Sequence, residues 1–487
     1  MDVKLILHSE LISRYYAQTL CLIMWPRAKF HEDLPIDHTP SCELWESDEG
    51  CVYKAKAVIR TENGVFNGEY VLRKSKKLYM DDSALATGRA FIEAAYKAGL
   101  KKMPWGLLTG VRPAKPLLAA KLAGNDVQNA KDFMTEKYLV SPDKAELCID
   151  IAKKEYLTVK ELPEDSVSIY ISVPFCPTRC SYCSFVSYAK PNLMALIPEY
   201  VEHLCRDINA VANKVKALSL KVVSIYVGGG TPTTLNETEL ESLCKAITDS
   251  FDLTYLREFC IEAGRPDTVT RQKLEIMKKY GVGRISINPQ TVHDKTLQTI
   301  GRRHSAKQFF DAYALAKEVG FDSINTDIIL GLPGENGEEF LESVEKILEI
   351  SPDNITIHSF CIKKSADLAG VSDSLPDSAL LPYQKKAFDE VIKNGYSPYY
   401  IYRQKNAVEN LENIGFAKAG KEGLYNVVMM EEIHSVIGIG AGASTRLVSK
   451  DGSNICRHYA PKYPFEYKDY NICDTVAYID DFYNNKY

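Results

Sequence analysis

Three cysteines, Cys176, Cys180 and Cys183, follow one another at C-x3-C-x2-C spacing in Phe175-Cys-Pro-Thr-Arg-Cys-Ser-Tyr-Cys183, directly after a strand-like stretch at 168–173. Three thiolates on one short loop can hold three irons of a cubane 4Fe–4S cluster and leave the fourth iron open to another ligand. A structural zinc site takes four ligands, usually from paired C-x2-C units. Zinc here would need a distant fourth ligand such as His203 or Cys205. Isolated reactive thiols do not explain why three should cluster. The spacing favours a cluster loop.

The rest of the composition fits a large protein of a reducing compartment. At 487 residues, with 45% apolar and 25% charged residues, the chain can form two or three domains with substantial cores. Thirteen cysteines are too sparse for a disulfide scaffold and, outside the triad, show no pattern. A net charge of −5 points away from nucleic acid as a partner. No apolar run approaches a membrane span. Asp2, Lys4, Glu10 and Arg14 interrupt the N-terminal apolar residues, so no signal peptide is read there. A cytoplasmic protein is expected.

Residues 1–162 read as an α+β domain, with strands at 3–8, 51–60 and 65–73 and helices at 82–98 and 142–156. Between the helices, Met103-Pro-Trp-Gly-Leu-Leu-Thr-Gly-Val-Arg-Pro113 reads as a loop that either packs on the next domain or closes over substrate. Residues 163–381 repeat a strand–helix unit. Strands are predicted near 167–173, 222–227, 258–263, 283–288, 323–330 and 354–359, and helices at 198–217, 238–249, 271–280, 306–319 and 338–349. Thr238-Glu-Leu-Glu241 is expected to cap the second of these helices. Such alternation predicts a parallel sheet in a partial or full α/β barrel, with chemistry where loops leave the C-terminal strand ends. Residues 382–487 are expected to cover the substrate, starting with a helix to Lys393 and an aromatic strand at 396–402. Their glycine-rich Gly438-Ile-Gly-Ala-Gly-Ala443 lacks the βα context of a nucleotide loop.

The strand ends carry a polar constellation. Val227-Gly-Gly-Gly-Thr-Pro232 follows the second strand without the Walker lysine, so a small zwitterion such as the methionine part of S-adenosylmethionine suits its bare backbone. Glu262 ends the third strand, Gln290 follows the fourth, and Asp327 lies in the fifth, with Arg302 and Arg303 between the last two. Carboxylates accept from hydroxyl or ammonium groups, and arginine matches a carboxylate bidentately.

These residues resemble the radical S-adenosylmethionine superfamily, and within it the oxygen-independent coproporphyrinogen III oxidase group. The resemblance rests on Tyr170-Ile-Ser-Val-Pro-Phe-Cys-x3-Cys-x-Tyr-Cys183, Gly-Gly-Gly-Thr-Pro232 and Ile261-Glu262. It continues through Arg284-Ile-Ser-Ile-Asn-Pro-Gln290, Gly301-Arg-Arg-His-Ser305 and Asp327-Ile-Ile-Leu-Gly-Leu-Pro333, and spans about residues 165–445. The N-terminal domain and Tyr402-Arg-Gln-Lys405 are similar to the coproporphyrinogen dehydrogenase type of that group.

The resemblance implies an α/β fold: a radical-SAM, partial TIM-type barrel with an N-terminal α+β domain and a C-terminal extension. It implies that Cys176, Cys180 and Cys183 ligate the cluster. Tyr170, Gly229 and Glu262 would hold one S-adenosylmethionine, and Tyr182, Gly230, Thr231, Gln290, Arg302 and Asp327 match positions that hold a second. Three positions depart from the family pattern. Phe185 replaces an extra cysteine, Asn288 replaces a glycine, and Tyr425-Asn-Val-Val-Met-Met430 stands where the haem-chaperone branch has His-Asn-x-x-Tyr-Trp. The implied reaction is oxidative decarboxylation of two propionates of coproporphyrinogen III, giving protoporphyrinogen IX in haem biosynthesis. A flavodoxin- or ferredoxin-type electron donor would be the partner. Arg403, Lys405 and Arg112 are candidate cations for the substrate's propionates. Two alternatives stay open: a haem-binding or haem-trafficking protein, and a radical enzyme acting on another tetrapyrrole.

Overall fold

The structure is a computed structural model that describes residues 1–25, 28–35, 37–74, 82–100, 102–108, 110, 112–124, 130–183, 187–361, 379–404 and 407–484. The chain divides into two compact units, Met1–Lys153 and Lys154–Tyr487. Among the described residues no helix is long and apolar enough to cross a membrane.

The first unit holds one sheet of order β2-β1-β3-β4-β5, built from β1 (Asp2–Leu7), β2 (Lys29–His31), β3 (Ser41–Asp48), β4 (Val52–Thr61) and β5 (Gly64–Arg73). The strands predicted at 51–60 and 65–73 pair as the β4–β5 hairpin, whose Thr61↔Gly64 register encloses Glu62-Asn63. The predicted helices form as Asp82–Lys97 and Pro142–Val159. Strand β3, with Ser41, Cys42, Leu44 and Glu46 buried, was not anticipated. Acidic residues break its apolar alternation, and pairing with β1 and β4 holds it in the middle of the sheet.

In the second unit all six predicted parallel strands form: β6 (Ser166–Val173), β7 (Lys221–Gly229), β8 (Glu258–Glu262), β9 (Arg284–Ser286), β10 (Ser323–Leu330) and β11 (Asn354–Ser359). They stand side by side in chain order, each parallel to the next. Helices Ile197–Ala217, Glu237–Ser250, Arg271–Lys279, Ala306–Val319 and Gly337–Ile350 connect them. The second of these is capped differently from expectation. Asn236 is the N-cap and Glu239 closes the box, two residues ahead of the Thr238–Glu241 pair. Asn is as good a cap as Ser or Asp, so the earlier acceptor starts the helix.

Later strands extend the same sheet at both edges. Strand β13 (Glu412–Ala417) runs antiparallel to β11, and β12 (Ser397–Arg403) antiparallel to β13. Strand β14 (Val436–Ile439) pairs in parallel with β6, followed by β15 (Ser444–Val448) and β16 (Ile455–Tyr459). The glycine-rich loop after β14 is thereby delivered beside the end of β6.

Side-chain alternation along these strands separates two environments. Ile169, Ile171, Ile225, Val227, Ile261, Ile285, Ile324, Ile328, Ile355 and Ile357 are fully buried on one face. The opposite face is polar and hydrogen-bonded across strands. Asn325 donates to Ser286 (2.8 Å) and to Asp327 (2.7 Å), Ser323 to Asn354 (2.8 Å), and Arg284 to Ser323 (3.0 Å). Tyr226 on β7 and Glu262 on β8 both feel the charge of Asp327 on β10. At its lower end the Glu258 carboxylate accepts from the Leu424 and Tyr425 amides at 2.9 Å each, capping helix Leu424–Glu431.

Two carboxyls, Glu155 and Glu431, lie buried beside one another. Glu155 lies fully buried, and burial together with the neighbouring Glu431 carboxyl pushes its pKa well above the usual range. A carboxyl with a raised folded pKa stabilises the fold while protonated and loses that contribution as pH rises toward its folded pKa. The melting temperature should therefore fall as pH rises above the ordinary glutamate range, and Glu155→Gln should flatten that fall. Parallel melting profiles for the two proteins would refute the shared proton.

Candidate functional site

The cysteine loop leaves β6 and is tied down from several sides. The Cys176 amide donates to Tyr188 O (3.0 Å), the Ser181 amide to Ile300 O (3.1 Å), and the Thr178 hydroxyl to Gly301 O (3.4 Å). Each sulfur has a polar neighbour from a different segment. Cys176 Sγ stands 3.3 Å from Thr231 Oγ1, Cys180 Sγ 3.8 Å from Arg265 Nη1, and Cys183 Sγ 3.8 Å from Ser187 Oγ. Burial pushes the Cys176 thiol up to about 11, Thr231 pulls it back, and the other two thiols add to the rise. Among the described residues no three His, Cys, Asp or Glu side chains converge into a ready coordination set. The three thiols share one half-buried loop without forming a closed cage.

The glycine run after β7 is explained by close approach. A Cβ on Gly230 would stand 2.8 Å from the Phe175 amide nitrogen, and one on Gly229 2.9 Å from Ser172 Oγ. Gly229 also has φ +107°, a conformation that L side chains rarely adopt. The amides of Gly230 and Thr231 are spent on Val173 O (2.9 Å) and Phe175 O (2.7 Å). The run thus fastens β7 to the cysteine loop, and the Thr231 hydroxyl reaches Cys176 as a result.

Two carboxylates on the polar face are driven apart electrostatically. Burial pushes Glu262 up to about 7, Asp327's charge adds to it, and a hydrogen bond from the Tyr226 hydroxyl pulls it back. Burial also raises Asp327, but the hydrogen bond and charge of His358, with Asn325 and Thr356, outweigh it and hold Asp327 below the usual carboxylate range. Tyr170 shares the Glu262 side, its ring 6.3 Å from Tyr226 and 6.2 Å from Tyr425. Tyr402 donates to or accepts from His358 Nδ1 at 2.9 Å on the Asp327 side.

Gln290 and Arg302 each carry a buried polar atom without a protein partner, Oε1 and Nε respectively. Gln290 is also held at φ +71°, by its amide on Asp327 O (3.1 Å) and by the Ile329 amide on its own carbonyl (2.9 Å). Arg302 Nη2 donates to Gly264 O at 2.5 Å, and Tyr182 and Cys180 lie beside its guanidinium. Soft thiolates suit an iron–sulfur cluster, and orphaned amide and guanidinium atoms together with an adjustable carboxyl suit a zwitterion, so the residues fit both groups.

The substrate candidates fare differently. Arg403 ends β12 half-buried beside Tyr402, and Arg112 lies in the first unit ahead of helix Lys115–Leu122. Lys405 and Phe185 lie outside the described residues. Arg265, His304, Tyr226 and His358 belong to the site and were not anticipated. Arg265 follows Glu262 by three residues, so its place in a strand-end loop was the only available signal.

A Radical SAM superfamily profile matches residues 170–347. Over 371 residues, 75% of this chain and 74% of the relative, the sequence is 36% identical to the oxygen-independent coproporphyrinogen-III oxidase-like protein HemZ of Bacillus subtilis. It is 30% identical to the heme chaperone HemW of the same organism over 324 residues, 64% of this chain and 81% of that protein. The coproporphyrinogen III oxidase HemN of Escherichia coli superimposes with a TM-score of 0.51 over 64% of this chain and 70% of that one, at 22% identity. That likeness is one of fold.

Anaerobic reconstitution should load about four irons per chain, and alanine at Cys176, Cys180 or Cys183 should remove most of that iron and the absorption that accompanies it. Stoichiometric zinc in place of iron would rule the cluster out.

Proposed function

The chain belongs to the radical SAM superfamily and, within it, to the HemZ/HemN type, and from that premise we propose that it oxidatively decarboxylates coproporphyrinogen III to protoporphyrinogen IX without oxygen. The observation that carries this reading is the similarity to HemZ over 75% of the chain, far beyond the 170–347 segment. Proteins of this family carry a 4Fe–4S cluster and S-adenosylmethionine, which together supply hydrogen-abstracting radical chemistry.

The chain's own residues have separable tasks in this proposal. Cys176, Cys180 and Cys183 hold the cluster, and the β7 glycine turn fixes the loop that bears them. Glu262 receives the ammonium group of S-adenosylmethionine, aided by Tyr170, while the orphaned Arg302 Nε and Gln290 Oε1 offer a donor and an acceptor. Gly229, Gly230, Thr231, Tyr182 and Asp327 complete the cofactor set for one or two S-adenosylmethionine molecules. Arg403, with Lys405, is assigned to the propionates. A flavodoxin- or ferredoxin-type donor delivers the electron.

A second reading, haem binding and delivery, is supported by the 30% identity to the heme chaperone HemW. Product analysis separates the two. With coproporphyrinogen III, S-adenosylmethionine, a reductant and an electron acceptor, the first reading expects vinyl products and carbon dioxide. Tight stoichiometric haem binding with no vinyl product would establish the second.

Arg403→Gln should raise the porphyrinogen KM about tenfold and leave uncoupled S-adenosylmethionine cleavage nearly intact, because binding and radical initiation use different residues. Equal loss of both would move Arg403 to the fold or the cofactor. Glu262 is neutral below about pH 7 and charged above it. Calorimetric affinity for S-adenosylmethionine should therefore increase as pH rises through that value. Tyr226→Phe removes the hydrogen bond that lowers the pKa and should shift the increase to higher pH.

A further inference from the structure

Cys180 receives a direct contact from a guanidinium, whose charge also acts on Cys176. Thr231 and Ser187 offer neutral hydroxyls to Cys176 and Cys183, whereas Cys180 faces the Arg265 guanidinium at 3.8 Å. Arg265 is only 3% exposed. Its donors are spent in full: Nε on Asp267 Oδ1 (3.2 Å), Nη2 on Asp267 Oδ2 (3.4 Å) and Thr178 Oγ1 (2.8 Å), and Nη1 on Thr178 O (3.1 Å) and Cys180 Sγ. Five N–H groups thus find five acceptors, an arrangement that lysine's single ammonium cannot reproduce. A buried guanidinium persists only when paired and hydrogen-bonded, so this fork has one stable aim, toward the loop and its middle sulfur. Arg302 adds a second positive charge near Cys180. His304 registers the field, since burial and then these two arginines push its pKa down to about 3 and hold it neutral.

We propose that Arg265, set by Asp267, is a positioning residue that holds the cysteine loop and makes the cluster easier to reduce by placing a fixed positive charge and an N–H donor on the Cys180 sulfur. The proposal rests on the reading of the triad as a cluster loop. Hydrogen bonds to the sulfurs and nearby charge are the protein's main means of setting a cluster potential. Adding an electron makes the cluster more negative, and a desolvated cation beside one sulfur stabilises that state.

The test is a spectroscopically monitored reductive titration of full-length, anaerobically reconstituted protein, with iron counted for each variant. Arg265→Met should shift the midpoint negative, so that the reduced-to-oxidised ratio at the wild-type midpoint falls about tenfold, equivalent to about 59 mV for one electron. Asp267→Asn leaves the guanidinium uncompensated and should shift the midpoint the other way. Arg265→Lys keeps the charge without the fork and should recover part of the potential. Loss of packing alone would move the Met and Asn variants in the same direction or leave both at the wild-type value, and either result overturns the proposal. Should the Met variant fail to retain iron, Asp267→Asn decides: a positive shift supports the assignment, and no shift or a negative one ends it. Wild-type protein that takes up no iron would fail the cluster reading itself, a result distinct from an unshifted potential.

Discussion

Two backbone hydrogen bonds, Gly230 to Val173 O and Thr231 to Phe175 O, join the turn leaving β7 to the chain entering the cysteine loop. Much of the site's geometry depends on this seam. A side chain on Gly229 or Gly230 would push the two segments apart, and Thr231 would then lose its place against Cys176. On the other flank β14 pairs with β6, and Ser172 donates to Ala441 O (2.7 Å) while Tyr200 bonds both Ser172 O (2.7 Å) and the Ala441 amide (2.9 Å). The loop bearing the cysteines is therefore seated between two glycine-rich turns whose positions the parallel register dictates.

Beyond the seam, the sheet presents a polar face where a simple barrel would be apolar. Seryl, asparaginyl and tyrosyl side chains satisfy one another there, which keeps the desolvation cost low while leaving charged groups adjustable. The opposed shifts of Glu262 and Asp327 follow from this arrangement. One carboxyl meets a phenol and a neighbouring negative charge, and the other meets an imidazole, an amide and a hydroxyl. Two groups of one chemical type thereby have different protonation at neutral pH, and cationic and neutral parts of a ligand can be told apart. The tyrosines that line the face depend on small residues behind them, as Tyr400 does on Gly415.

Residue spacing alone identified the cysteine triad, because three soft ligands within eight residues have few chemical uses, and alternation identified the six parallel strands, because a strand with one face against helices must repeat every second residue. The C-terminal strands that extend the sheet were legible only as isolated apolar or glycine-rich stretches, since edge pairing leaves no periodic mark that names a partner. Local sequence placed the capping box at Thr238 because its pattern fits there as well, and the competing Asn236 acceptor, two residues earlier, starts the helix. Arg265 shows the same limit most clearly. Its sequence position says only that it lies in a strand-end loop, whereas its five acceptors come from two segments about 90 residues apart. The sequence by itself determined the ligand types, the strand rhythm and the family. Tertiary structure decided which charges face which sulfur, which carboxyl keeps its proton and where the glycine turns meet, because those depend on distances between segments that only the folded sheet brings together.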